Sequence, residues 1–289
     1  MLRFATRLSM PRSRSRPAPR TAPAPRTAYA VTFCDRAENH QGMQMIGSSA
    51  ARGFTHKELR AAAKRLGAAA KLHDLRKSLP AARRVTGAKA YVLVIKGGVN
   101  KMLKDAAAAD RLMTEIAATA FDTTALMGRG VGRRVKNKHA RHNNCIGDVS
   151  QAPEIAAGKG TVVPFSSLPW MTRLRAALTC LGPLGTGLVA ETNKYFDVAK
   201  CGIGWHGDAE RRVVVGVRLG ASAAMPLKFN WFQQSSPLGD VLSLDLQHGD
   251  MYVMSDKAVG HDWMKDRKGL TLRHAAGAEK YAGNKRPRE

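Results

Sequence analysis

Apolar and polar positions change period along the chain, and the change divides it. From His56 to Lys77 apolar residues recur at helical spacing, with Thr55 and Glu58 placed as a capping box and many lysines and arginines left for solvent. Ala88–Lys96 is a β-rich run closed by Gly97-Gly98, and Leu103 to Phe121 is an Ala-rich helix. Lys159–Phe165 reads as a strand and Leu168–Leu181 as a helix. From Thr186 onward the pattern is strand throughout. Val213–Leu219 is Val-rich, Pro226–Phe232 and Val241–Leu246 alternate, and Met251–Met254 follows a tight turn at Gln247-His248-Gly249-Asp250. Short strands at roughly ten-residue spacing predict a barrel or double-sheet roll, buttressed by the upstream helices.

The first 54 residues lack either period. Up to about Ala30 they are rich in Arg, Ser, Pro and Ala with no acidic residue, and 31–54 reads as a linker. The segment reads as a disordered basic arm or an organellar transit peptide, mitochondrial or plastid. Four divisions follow: 1–54 disordered, 55–84 a helical extension, 85–280 the main domain, and 281–289 a basic tail. Lys285-Arg-Pro-Arg288 in that tail has the look of a nuclear address, the alternative location.

Charge changes the picture further. The chain carries 47 basic against 22 acidic residues, a net +25. Removing the seven arginines ahead of Asp35 still leaves about +18, so the folded part is itself basic. A polyanion, nucleic acid first, is the expected partner. No run approaches the ~18 apolar residues of a membrane span. Cys34, Cys145, Cys180 and Cys201 are scattered without CxxC spacing, against a zinc site or a disulfide framework. Gly128–Asp148 reads as a basic loop; Arg133, Arg134, Lys138 and Arg141 within it are candidate phosphate contacts.

The candidate chemistry lies in His206-Gly-Asp208. Residues i and i+2 of a strand point the same way, so an imidazole and a carboxylate can meet one metal. With His261 from a distant segment they form a two-histidine, one-carboxylate face, which leaves positions open for a co-substrate and O2. Arg273, in Leu270-Thr-Leu-Arg273, follows the distal histidine, where a guanidinium can grip a keto-acid carboxylate bidentately.

Ile203-Gly-Trp205-His206-Gly-Asp208, His248-Gly-Asp250, His261 and Arg267-Lys-Gly-Leu-Thr-Leu-Arg273 occur in the order seen in AlkB-type 2-oxoglutarate- and Fe(II)-dependent dioxygenases, and the run from about Asn193 to Gly277 resembles that family. The resemblance implies an α+β fold with a double-stranded β-helix (jelly-roll, cupin-like) core. It implies Fe(II) held by His206, Asp208 and His261, and 2-oxoglutarate held by Arg267 at its distal carboxylate, with Arg273 near the keto-acid end and Asn193 and Tyr195 beside it. O2 is the second co-substrate. Glu210 takes the place of an acidic residue that contacts the target base, and Trp205 is a candidate to stack on it. The expected activity is hydroxylation or demethylation of a base in DNA or RNA by a monomer. Alternatives are a TET- or J-base-like 5-methylpyrimidine oxygenase, a protein or small-molecule hydroxylase, and an inactive nucleic-acid-binding module.

Overall fold

The computed structural model describes residues 26–84, 88–128, 130–265 and 269–283. In chain order the strands are β1 (Ala28–Cys34), β2 (Arg36–Glu38), β3 (Met45–Gly47), β4 (Ala70–Asp74), β5 (Tyr91–Ile95), β6 (Thr124–Met127), β7 (Arg134–Asn137) and β8 (His142–Gly147). They continue with β9 (Val162–Pro164), β10 (Val189–Tyr195), β11 (Gly202–His206), β12 (Val214–Gly220), β13 (Leu227–Gln233), β14 (Ser236–Leu244), β15 (Met251–Met254) and β16 (Leu270–Gly277). The helices are α1 (His56–Leu66), α2 (Ala81–Arg84), α3 (Gly98–Leu103), α4 (Ala108–Ala117), α5 (Pro169–Ala177), α6 (Asp256–Val259) and α7 (Glu279–Ala282). The fold is mixed α+β and dominated by β-sheet.

An eight-stranded sheet runs β4-β5-β15-β12-β1-β10-β8-β9, and a four-stranded sheet runs β11-β16-β13-β14. Alternation along the strands builds two cores. On one face of the large sheet Val31, Phe33, Leu93, Ile95, Val215 and Val217 pack with Leu59 of α1, Leu112 of α4 and Met171 of α5. On the other, Val92, Val94, Val214 and Met254 meet Phe229, Trp231, Leu244 and Leu272 of the small sheet. The layers are therefore helices, large sheet, small sheet. Trp231 is fully buried and donates its indole N–H to the Leu75 carbonyl at 2.9 Å, so its ring is buried without an orphaned donor. Burial of a side chain of this kind contributes about 1.5–3 kcal/mol.

Several boundaries differ from those the sequence predicts. Within the segment read as disordered, Ala28–Cys34 forms β1 at the centre of the large sheet, paired antiparallel to both β10 and β12. Seven residues of alternation are hard to see beside an Arg- and Pro-rich flank; burial of Val31 and Phe33 decides the matter. The helix expected to Lys77 ends at Leu66, and Ala70–Asp74 turns back as β4 on β5. The capping box at its start is present: Thr55 and Glu58 each accept the other's backbone N–H. Because β1 and β4 both precede residue 85 and both belong to the large sheet, the proposed extension is part of the main fold. Lys104 adopts a left-handed φ of 53° and splits the Ala-rich run into α3 and α4. The basic loop is a hairpin, β6–β7, followed by β8. The transit-peptide reading, residues 1–25, and the nuclear-address tail lie outside the described residues. Among the described residues no helix is long and apolar enough to cross a membrane.

Candidate metal centre and its cavity

The centre is built on the face of the large sheet that looks toward the small one. Register aligns three rows across β10, β1 and β12: Glu191–Thr32–Gly216, Asn193–Ala30–Arg218 and Tyr195–Ala28–Gly220. Small residues in the middle strand leave room, and the long polar ones on either side line a cavity of about 660 Å³ together with β11, the loop after it, and the β2–β3 turn. Gly216 is required here, because a Cβ would lie 2.0 Å from the Tyr252 ring that rests on it.

His206, Asp208 and His274 meet at this cavity, each offering a ligand atom within 4.8 Å of the others. His206 Nε2 is 3.4 Å and His274 Nε2 3.5 Å from Asp208 Oδ1. The pairing His206↔His274 across β11 and β16 brings the two imidazoles together, ring centroids 4.4 Å apart. The Gly204 carbonyl lies 2.7 Å from His206 Nδ1, which favours the tautomer with Nδ1 protonated and the Nε2 lone pair directed at the metal position. Burial pushes the Asp208 carboxyl up, but Arg211 and the two imidazoles outweigh it and hold the group well below the usual carboxylate range. Burial, then the neighbouring His206, lowers His274, so its ring stays neutral, the form that ligates. The donor set, two imidazoles and an ionised carboxylate with an orienting partner behind, fits a divalent metal.

His261, the expected third ligand, is not in this group. It sits in the turn after α6, with Nδ1 3.2 Å from the Arg211 carbonyl and Nε2 3.5 Å from Lys265 Nζ. Strand alternation explains the substitution. Leu270 and Leu272 face the inter-sheet core, so His274 shares their side and Arg273 points away. Arg273 stacks on Phe232 at 4.1 Å and donates to the Gln234 carbonyl at 2.6 Å, outside the cavity lining. That inward face of Leu270-x-Leu272-x-His274 was the available sequence signal for the third histidine. Arg267 lies outside the described residues.

Asn193 and Tyr195 do line the cavity, and so does an arginine the sequence did not single out, Arg218. Only 3 % exposed, Arg218 donates from Nη2 to the Met225 carbonyl, while its buried Nε has no hydrogen-bond partner among the described residues. A buried orphan guanidinium N–H costs free energy unless a ligand takes it. Arg141 also reaches the cavity and donates to Asn193 Oδ1 at 2.6 Å.

Glu210 lines the cavity but is held by Arg211. Arg211, 4 % exposed, also pairs with Glu191 at 2.6 Å and approaches Asp208 at 3.9 Å, tying the metal-facing carboxylate to the sheet. Trp205 is half-buried on the wall, its indole N–H 3.4 Å from the Gly283 carbonyl. Arg133 donates to the Gly42 carbonyl at 2.6 Å and so ties the basic hairpin to the β2–β3 turn at the cavity; Arg134 is exposed. Lys138 does not reach outward as expected. It is 7 % exposed and donates to Asn39 and Asn143, and burial pushes its pKa down to about 8.

Glu38, the last residue of β2, has no counterpart in the sequence reading. Burial, reinforced by Glu210 and Glu191, pushes its carboxyl up to about 7. The folded state then holds a proton between pH 4.5 and 7 that the unfolded chain releases, so stability falls as pH rises through this window. Glu38→Gln is expected to remove that fall. Melting temperatures of the two proteins from pH 4.5 to 8 should diverge progressively in favour of the variant, and parallel curves would contradict the assignment.

No family model matches the chain. It is similar to "Uncharacterized protein R156" of Acanthamoeba polyphaga mimivirus, 39 % identical over 254 residues that span 87 % of this chain and 96 % of the relative. The chain belongs to the family of that viral protein.

Proposed function

We propose that this chain is an Fe(II)- and 2-oxoglutarate-dependent dioxygenase that oxidises a base of a nucleic acid, by hydroxylation or demethylation. The observation that carries the reading is the His206–Asp208–His274 cluster at a cavity lined also by Arg218, whose buried Nε has no hydrogen-bond partner among the described residues. Iron bound there would supply O2 activation and oxidation of a substrate C–H bond. The protein's own residues supply placement. His206, Asp208 and His274 would hold the metal, and Arg211 keeps Asp208 ionised. Arg218, with Asn193 in its own row and Tyr195 in the next, offers a carboxylate anchor from the large sheet, where the AlkB pattern has arginines on the segment that follows the distal histidine.

The double-stranded β-helix reading is supported by how the strands interleave. From β10 to β16 the chain passes between the sheets, and β1, from the other end of the chain, lies between β12 and β10. The nucleic-acid reading rests on the net charge of +25 and on the basic hairpin that carries Arg133, Arg134 and Lys136 and is tied by Arg133 to the β2–β3 turn. A base oxidised at this depth must leave its stack.

The experiment is anaerobic addition of Fe(II) and 2-oxoglutarate to wild type and to Asp208→Ala. A weak visible charge-transfer band in wild type that disappears in the variant is the expected result. An iron-loaded wild type without the band rules out the keto-acid co-substrate.

A further inference from the structure

The helix layer lies on the opposite face of the large sheet from the cavity and carries charge that the candidate site does not use. On α1 the buried Leu59 and Ala62 face the core, while Lys57, Arg60 and Lys64 are exposed at i, i+3 and i+7. Like charges at these spacings repel along a helix, each pair costing a few tenths of a kcal/mol. The one acidic residue of α1, Glu58, is already taken by Arg52 at 2.8 Å and by the capping box. The stripe therefore has no acidic partner among the described residues.

The same layer extends the charge. Arg65 donates to the Cys180 carbonyl at 2.9 Å, joining α1 to the segment that follows α5. On α5, the Trp170 ring carries two guanidiniums, Arg173 at 4.3 Å and Arg111 at 5.0 Å, both arginines exposed; Arg111 is also paired with Asp105 at 2.8 Å, so Arg173 is the one with its N–H edges open. Stacking on an aromatic ring holds a guanidinium in place while leaving its N–H edges for phosphate oxygens.

We propose that this helical face is a second nucleic-acid contact, binding the phosphate backbone of a duplex without reading its sequence. Two observations choose this occupant. The exposed large apolar residues among those described are Met45, Val135, Val149, Phe196 and Met264, so none lies on α1, α3, α4 or α5 to insert into a lipid surface. The aromatic ring on the face, Trp170, is covered by guanidiniums and offers no free platform for unstacked bases, the feature single-strand binding uses. The proposal does not depend on metal or co-substrate chemistry.

The test measures binding of a random 30-base-pair duplex against salt concentration for wild type, for K57A/R60A/K64A, and for R134A/K136A beside the cavity. Alanine is the better helix former, so the triple variant keeps α1, which circular dichroism verifies. Loss of three phosphate contacts lowers the slope of log K against log salt by roughly two to three. The expected result is that reduction in the triple variant, with a smaller change in the cavity-side pair. An unchanged slope in the triple variant overturns the proposal. So does its loss of binding to phosphatidylserine vesicles with duplex binding intact, which would assign the face to a membrane.

Discussion

His274→Ala is expected to abolish tight divalent-metal binding, whereas His261→Ala leaves it within a few-fold of wild type. Removing a partner that merely orients a ligand typically costs 10–100-fold in metal affinity, so loss of one of three ligands costs at least about 100-fold. The two histidines separate because only His274 shares a cross-strand position with His206 and lies 3.5 Å from Asp208; the His261 ring contacts the Arg211 carbonyl and Lys265 instead. Titration calorimetry with Mn(II) or Co(II) reads the difference. Asp208→Ala serves as the matching loss, and the melting temperature of the metal-free proteins shows whether the fold survives. The reverse order, with His261 essential and His274 dispensable, would remove β16 from the centre and with it the present account of the site.

Arg218→Met is expected to weaken 2-oxoglutarate binding to the metal-loaded protein by about 2–5 kcal/mol, roughly 30-fold at the least, the usual cost of removing one partner of a buried charge-assisted pair. Methionine keeps much of the apolar volume, and the variant loses the orphaned Nε along with the bond to the Met225 carbonyl. Arg273→Ala, by contrast, removes a guanidinium stacked on Phe232 outside the cavity lining and should change stability more than co-substrate affinity. Calorimetric titration of both variants separates the two. A large loss in Arg273→Ala with none in Arg218→Met would return the anchor to the arginine of the AlkB pattern. The register makes a geometric case for the shift: Ala30 of β1 stands directly between Asn193 and Arg218, and a side chain with no reach on the middle strand leaves the anchor to its neighbour.

Periodicity made the later strands legible. Met251–Met254 has the predicted bounds, and β12 and β13 lie within a residue of theirs, because each is a short apolar or alternating run with turn signals on either side. Where local signals conflict, the reading fails in a particular way. β1 is short, small-residued and adjacent to a Pro- and Arg-rich stretch, and its neighbours in space, β10 and β12, are more than 150 residues away. α1 and β4 read as one helix in the sequence because Gly67 is a weak stop within a long polar run, and only pairing with β5 fixes Ala70–Asp74 as strand.

The sequence alone determined the β-rich class, the basic charge and the His206-Gly-Asp208 pair, all of which are local properties: periodicity, composition and an i, i+2 spacing, although Asp208 lies two residues beyond the end of β11 rather than on it. The third member of the cluster and the arginine beside it were decided by tertiary structure. His274 is chosen because β16 lies against β11 in a register that sets it opposite His206, and Arg218 because β1 enters the large sheet between β10 and β12. Inter-strand register is a property of pairing across long sequence separation, and a shift of one residue would turn His274 outward and Arg273 inward.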